Sequence, residues 1–357
     1  MNFGLSDEQE LLQETVRGFV ANECPPKRLR EIFDSEAPDL AELWSGLAEL
    51  GVAGLVVPEA YGGAELELLD LALVSEVLGA GALPGPFLEH SLATLAIALG
   101  GSEEQRERWL PALSSGERIG SIALAEPGGR WEPESWSCSL ESGRLSGKKS
   151  YVPGLGLANL IVVGTRGGAL AVLDREADGV KLETVDGVDR TRRLSSLTLE
   201  GACAEPLATP VAGRVRDAGL VLLAADAFGG AWRLVEVSIE YAKTREQFGQ
   251  PIAQFQAVKH RLADMALDIE PTRGLYWYAA HAFDHLPEEC ERTAALAKAH
   301  ISDRFMQIAR DAVEVHGGIG FTWECDVQIW FKRAMFDRTF LGEPARQRER
   351  AARLAGW

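Results

Sequence analysis

TREQFGQPIAQFQAVKHRLADMA, residues 244–266, joins two helical patterns through a short polar break. Downstream of the break, Phe255, Val258, Leu262, Met265 and Ile269 step by 3, 4, 3 and 4 residues, the spacing of one helix face. The break itself holds Arg245, Phe248 and Gly249. A guanidinium there can grip a pyrophosphate through two parallel hydrogen bonds, with Phe248 as an apolar wall for an aromatic ring system. The plainer reading is a polar turn between helices with one buried aromatic. Read alone, the stretch fits both.

Further along, Ile301, Phe305, Ile308, Ala312 and Val315 repeat the same stripe, which predicts long helices packed as a bundle. Pro271 should end or kink its helix, because the ring removes a hydrogen bond and clashes with the preceding turn. Roughly the first 115 residues also read as helices. Ser6 and Gln9 have the capping-box spacing, and Leu12, Val16 and Phe19 recur on one face. GVAGLVVPEAYGG, with Pro58 and the pair Gly62–Gly63, breaks that pattern as a loop. From about Gly120 to about Pro210 the texture changes to short β-rich runs between glycines. LIVVGTRGGALAVLD predicts a hairpin turning at Arg166, Gly167 and Gly168.

Composition narrows the function. The 357 residues are 46% hydrophobic and 25% charged, ordinary for a soluble chain of two or three domains. A net charge of -17 argues against nucleic acid or an anionic membrane as partner. The five cysteines are scattered, with no CxxC pair, so neither a metal cage nor a disulfide framework is expected, and a reducing cytoplasm fits best. No apolar run reads as long enough to cross a bilayer, and the start, MNFGLSDEQE, lacks the features of a signal peptide.

A second motif, EVHGGIGFTWE (314–324), closes a helix on a glycine pair. Gly317 and Gly318 permit a helix-ending geometry and let backbone N–H groups approach a phosphate, although no P-loop signature follows. Together, YAKTREQFGQPIAQFQAVKHRLADM and EVHGGIGFTWE closely resemble the acyl-CoA dehydrogenase family, and LGVAGLVVPEAYGG and ALAEP add matches in the earlier parts. The resemblance covers essentially the whole chain. It implies an N-terminal all-α domain (1–117), a middle β-barrel or sandwich domain (118–210) and a C-terminal antiparallel four-helix bundle (211–357). It also implies FAD bound between subunits, an acyl-CoA substrate and an electron-transfer flavoprotein as acceptor. In that family a glutamate takes a proton from the thioester α-carbon while a hydride leaves the β-carbon for flavin N5.

Carried over residue by residue, the resemblance splits. The elements that reach a neighbouring subunit's FAD are present: Arg245, Gln247 and Phe248 with Ile252 behind them, and the segment Glu314, Val315, His316, Gly317 and Gly318. Glu314 stands where the family usually has glutamine. The elements that hold the flavin ring within the same subunit are eroded. Ala125 replaces a hydroxyl residue before Glu126–Pro127. Tyr151 and Val152 fit the pattern, but Pro153 stands where it has Thr or Ser, and GGRWEP replaces the usual Gly-Ser. Leu341, before Gly342, occupies the position of the catalytic glutamate, and the alternative early position of that base falls on Gly219. Asp217 and Glu343 are the nearest carboxylates, and their plain reading is solvated surface residues.

Three readings follow. The first is the subunit without a base in an α2β2 acyl-CoA dehydrogenase of bulky, steroid-like thioesters, completed by a related chain. The second is a homotetramer using Asp217 or Glu343 as a displaced base. The third is a scaffold subunit without flavin. His260, His300 and His316 read as structural, Trp131 and Trp136 as loop residues facing a partner, and the tail ARQRERAARLAGW as a solvated or intersubunit helix.

Overall fold

The first helix begins as its cap spacing requires. The Ser6 hydroxyl accepts from Gln9 N–H (3.2 Å), and the Gln9 side-chain oxygen accepts from Ser6 N–H (3.1 Å). Two otherwise unpaired donors are thereby satisfied at the start of α1 (Asp7–Glu23). The computed structural model describes residues 4–357. After α1 come α2 (Pro26–Asp34), α3 (Ala41–Glu49), α4 (Leu68–Ala80), α5 (Phe87–Gly100) and α6 (Glu103–Ser114). Ser102 and Gln105 repeat the capping box at α6.

Eight strands follow: β1 (Gly120–Ala123), β2 (Ser139–Glu141), β3 (Arg144–Pro153), β4 (Leu160–Thr165), β5 (Ala169–Asp174), β6 (Val180–Val185), β7 (Leu194–Cys203) and β8 (Glu205–Pro206). They form two sheets, ordered β1-β4-β5-β8 and β2-β3-β7-β6, antiparallel except for the parallel pair β1–β4. The expected hairpin is present: Thr165 pairs with Ala169, leaving Arg166–Gly168 as the turn. Ile161, Val163 and Leu173 of one sheet and Leu145, Leu197 and Leu199 of the other share one core, so the domain is a sandwich.

That core also buries an ion pair. Lys149 Nζ lies 3.1 Å from Glu126 Oε1, both side chains being almost fully buried. Burial pushes the Glu126 pKa up, but bonds from the Ser137 hydroxyl and from Cys138 and Ser137 N–H, with the Lys149 charge, outweigh it and hold the pKa at about 2. Trp136 packs under the same ammonium, 4.8 Å from its ring centre, and is buried. It is therefore a core residue and not the partner-facing one expected from its loop-like surroundings.

The rest is helical: α7 (Ala212–Thr244), a short hairpin of β9 (Glu246–Gln247) and β10 (Gln250–Pro251), α8 (Gln256–Ile269), α9 (Arg273–His285), α10 (Pro287–His316), α11 (Val327–Thr339) and α12 (Pro344–Leu354). Pro271 sits in a 3₁₀ turn between α8 and α9, ending one helix as its ring dictates. Helix α10 packs against α8, α9, α11 and α12, and Ile301, Phe305, Ile308 and Ala312 of the predicted stripe are buried. Helix α7 corrects one expectation, since by length and composition it is long and apolar enough to cross a membrane. Yet 89% of its most apolar window is buried within the fold, so its apolar residues are core.

The chain forms two compact units, each gathered from separate segments. One takes the chain up to Pro38 with Ala72–Leu83 and Leu220–Trp357, and the other takes Asp39–Leu71 with Pro84–Gly219. Within the first, α4 and α7 cross closely at glycines. A Cβ at Gly229 would lie 1.9 Å from Glu76 O, and one at Gly79 would lie 2.2 Å from Asp226 O. The buried Arg333 guanidinium bonds Asp226 (2.9 and 3.1 Å) and the Leu83 carbonyl (3.1 Å), tying α11 to the same crossing.

Candidate functional site

Phe248 and Gly249 form the two-residue turn between β9 and β10, where Gln247 pairs with Gln250. Both have positive φ, +53° and +76°. Glycine adopts that conformation freely; for phenylalanine it costs about 1–2 kcal/mol. The ring that results is 93% exposed and touches Phe255 edge-on at 6.1 Å. Backbone strain of this kind is concentrated at functional sites.

Behind the turn, Arg245 is placed by its backbone: its N–H donates to Tyr241 O and its carbonyl accepts from Ile252 N–H, both at 2.8 Å. Its guanidinium is exposed and makes no ion pair among the described residues. Helix α10 ends at His316, and Gly317 follows at φ +65°. A Cβ at Gly317 or Gly318 would meet nothing within 4 Å, so the backbone there lies open. Arg245, Gln247, Ile252, Val315 and the glycine pair line one cavity of about 520 Å³. Tyr241 and His316, stacked at 4.2 Å, complete its lining with Ile319. Burial, which favours a neutral ring, pulls the His316 pKa below its usual value against the opposing effect of its bond to the Ala312 carbonyl. One free guanidinium, open glycine backbone and an uncharged aromatic wall fit an anionic, ring-bearing group such as the FAD diphosphate with its attached ring system.

The sandwich unit carries the other implied contacts, and here the donors are missing. Ala125 is buried and offers only a methyl group; its carbonyl accepts from Ser150 N–H at 2.9 Å. Pro153 has no N–H, and its carbonyl accepts from the Ser121 hydroxyl at 2.6 Å. Tyr151, at φ +56°, stacks on Trp131 at 6.3 Å. These residues do not fit a flavin ring that needs hydroxyl donors.

Leu341, where the resemblance places the base, is 1% exposed with φ +56°. The Gln347 side chain donates to its carbonyl at 2.7 Å. Lys298, buried within α10, donates to the carbonyls of Gly342 and Arg338, the latter at 2.8 Å. The loop is rigidly held but offers no side-chain proton acceptor at 341. Gly219 is a buried residue of α7 with nothing to offer either. Asp217, expected as a solvated carboxylate, is buried, and its Oδ1 accepts from Arg216 Nε (3.0 Å) and Nη2 (2.9 Å). Glu343 is exposed and precedes α12 without capping it through its side chain.

Family models of the acyl-CoA dehydrogenase N-terminal and C-terminal domains match residues 6–117 and 217–355, more than half of the chain. The chain belongs to the acyl-CoA dehydrogenase family. It is 33% identical over 350 residues to acyl-CoA dehydrogenase IpdE2 of Mycolicibacterium smegmatis, covering 97% of this chain and 98% of that one. Among solved structures, the Tcur3481-Tcur3483 steroid ACAD (G363A variant) matches with a TM-score of 0.91 and 31% identity over 98% of both chains. The FAD complex of PigA matches with a TM-score of 0.88 and 25% identity, over 100% of this chain and 99% of that one.

In this family member the structure gathers Arg245, Gln247, Ile252, Val315, Gly317 and Gly318 around one cavity. Phe248 stands beside that cavity on the hairpin turn. Glu314 does not line it; the side chain is exposed and lies 3.5 Å from Arg261. Reading the sequence missed Tyr241, whose one-turn offset from Arg245 was the available signal. His316, read as structural, lines the cavity. Of the supports of the Leu341 loop, Lys298 carries no local signal, because it acts on carbonyls 40 and 44 residues away, whereas Gln347 acts over six residues. Gln347 and Arg350, part of the tail expected to be solvated or intersubunit, are buried within the chain itself.

Proposed function

We propose that this chain is the subunit without a base in a heterotetrameric, FAD-dependent acyl-CoA dehydrogenase, with its own ring-binding contacts vestigial and its trans contacts intact. The observation that carries the reading is Leu341, a buried apolar side chain at the position of the base, in a chain whose Arg245 cavity is fully formed. Neither remaining carboxylate supports a displaced base, since Asp217 is bound by Arg216 and Glu343 is an exposed residue before α12. A pure scaffold has no use for a strained, exposed Phe248 or an unpaired Arg245. Similarity to the Tcur3481-Tcur3483 steroid ACAD, named for a pair, supports a paired assembly and a bulky, steroid-like acyl-CoA as substrate.

FAD, when bound, supplies the hydride acceptor for α,β-desaturation of the thioester. Arg245 would neutralise the cofactor's diphosphate, and Gly317 and Gly318 would let it approach the backbone. Phe248 would cover it from water, which strengthens every polar contact inside. Leu341 excludes water from its own loop but moves no proton, so proton abstraction falls to a carboxylate of the companion chain. An electron-transfer flavoprotein is the proposed acceptor.

Flavin absorbance per chain tests this, with the protein expressed alone and then with a related dehydrogenase chain. The expected result is a colourless or poorly loaded chain alone, and about one FAD per pair of chains in the mixed tetramer. A yellow chain that oxidises acyl-CoA by itself would reject the proposal and point to Asp217 or Glu343.

A further inference from the structure

A second cavity, of about 620 Å³, opens within the first unit among α1, α2, α4, α7, α9 and α11, and shares no lining residue with the cavity at Arg245. Its volume lies within the roughly 300–1,000 Å³ of small-molecule sites. Val20, Trp232 and Trp330 give it an apolar wall, and Arg17, Arg233 and Arg273 bring cationic groups to the same space. Cys24, the thiol in the lining, is pushed up to about 11 by burial against the pull of Arg28, so it adds no charge.

The charges are unequal in a way that selects a ligand. Glu76, only 7% exposed, is already saturated: it accepts from Arg273 Nη1 (3.1 Å), from the Gln13 amide (3.4 Å) and from the Tyr276 hydroxyl. Arg233 meets Glu236 at 3.3 Å. Arg17 reaches only the Gln13 amide oxygen at 3.0 Å and makes no ion pair among the described residues. Three arginines against two glutamates leave one surplus positive charge, in a chain of net charge -17.

We propose that this cavity binds an amphipathic carboxylate, its apolar body against Trp232 and Trp330 and its carboxylate on Arg17. A guanidinium without an anion, at the edge of an apolar cavity, favours such a molecule over a neutral one of equal size.

Isothermal titration of the full chain with decanoate, and with decan-1-ol as the neutral control, is the test. Decanoate should bind one per chain, at least about tenfold more tightly than decan-1-ol, the ratio of one charge-assisted hydrogen bond. Arg17→Gln should weaken decanoate about tenfold and leave decan-1-ol unchanged. Ala21→Trp, at an exposed helical position in the lining, should abolish binding of both; if that variant fails to fold, Arg17→Gln decides alone. The proposal is overturned if wild type binds no decanoate, if decan-1-ol binds as tightly, or if Arg17→Gln binds decanoate like wild type.

Discussion

Position 341 combines two features that rarely coincide: a buried leucine and a left-handed backbone. The conformation is enforced by its supports, Gln347 on the Leu341 carbonyl and Lys298 on the carbonyls of Gly342 and Arg338. Replacing Leu341 by Glu should therefore leave the chain inactive when expressed alone, because Ala125 and Pro153 still deny the ring its donors. It should also lower stability by burying a carboxylate. Substantial turnover with acyl-CoA by that single variant would refute the vestigial-site reading. Lys298 gives a pH signature. Burial lowers its pKa from 10.5 to about 7, against the pull of Asp337. Between those values the unfolded chain holds a proton that the folded chain has released, so stability gains with rising pH; below about 7 the burial penalty is felt in full. The melting temperature of wild type relative to Lys298→Met should rise from about pH 7 to about pH 9, and a flat difference would show that the lysine is not desolvated as described. Leu341, Ala125 and Pro153 could be singled out from the sequence because they are local letters in a recognisable pattern. Lys298 was not, since its role depends on carbonyls 40 and 44 residues away.

Elements were set largely by local chemistry. The capping boxes at Ser6 and Ser102, the hairpin at Arg166–Gly168 and the break at Pro271 all follow from side chains within a few residues. The crossing of α4 and α7 does not. At Gly229 an added Cβ would strike the backbone of Glu76, whereas at Gly18 in α1 it would meet open space. Gly229→Ala should cost on the order of 1–3 kcal/mol or more, because two helices must separate. Gly18→Ala should stabilise by roughly 0.5–1 kcal/mol through helix propensity. Urea denaturation of the pair separates the two effects; equal shifts would mean that the close crossing is not there. The Phe248–Gly249 turn lies between these cases: the glycine was visible as a turn residue, but the positive φ at Phe248 and its exposure were not.

For the molecule as a whole, Phe248, Phe321 and Trp357 are each at least 80% exposed, an unusual display for three large aromatic side chains. Light scattering should find the chain self-associating or poorly soluble by itself. Mixed with its companion, it should form a particle of about four chains. A stable, well-behaved monomer that ignores the companion would contradict the paired assembly.

What the sequence by itself determined is the kind of protein: helix stripes, turn glycines and two motifs write the α, β, α order and the dehydrogenase family, because propensity, capping and pattern act over short distances. Only the tertiary structure decided which residues share a cavity and which carboxylates are spent on arginines. Trp136 proved to be core, Asp217 a buried residue, Asp226 the partner of Arg333 and Lys298 the support of the Arg338 and Gly342 carbonyls. Burial and partner choice depend on segments far apart in the chain, and no local pattern encodes them.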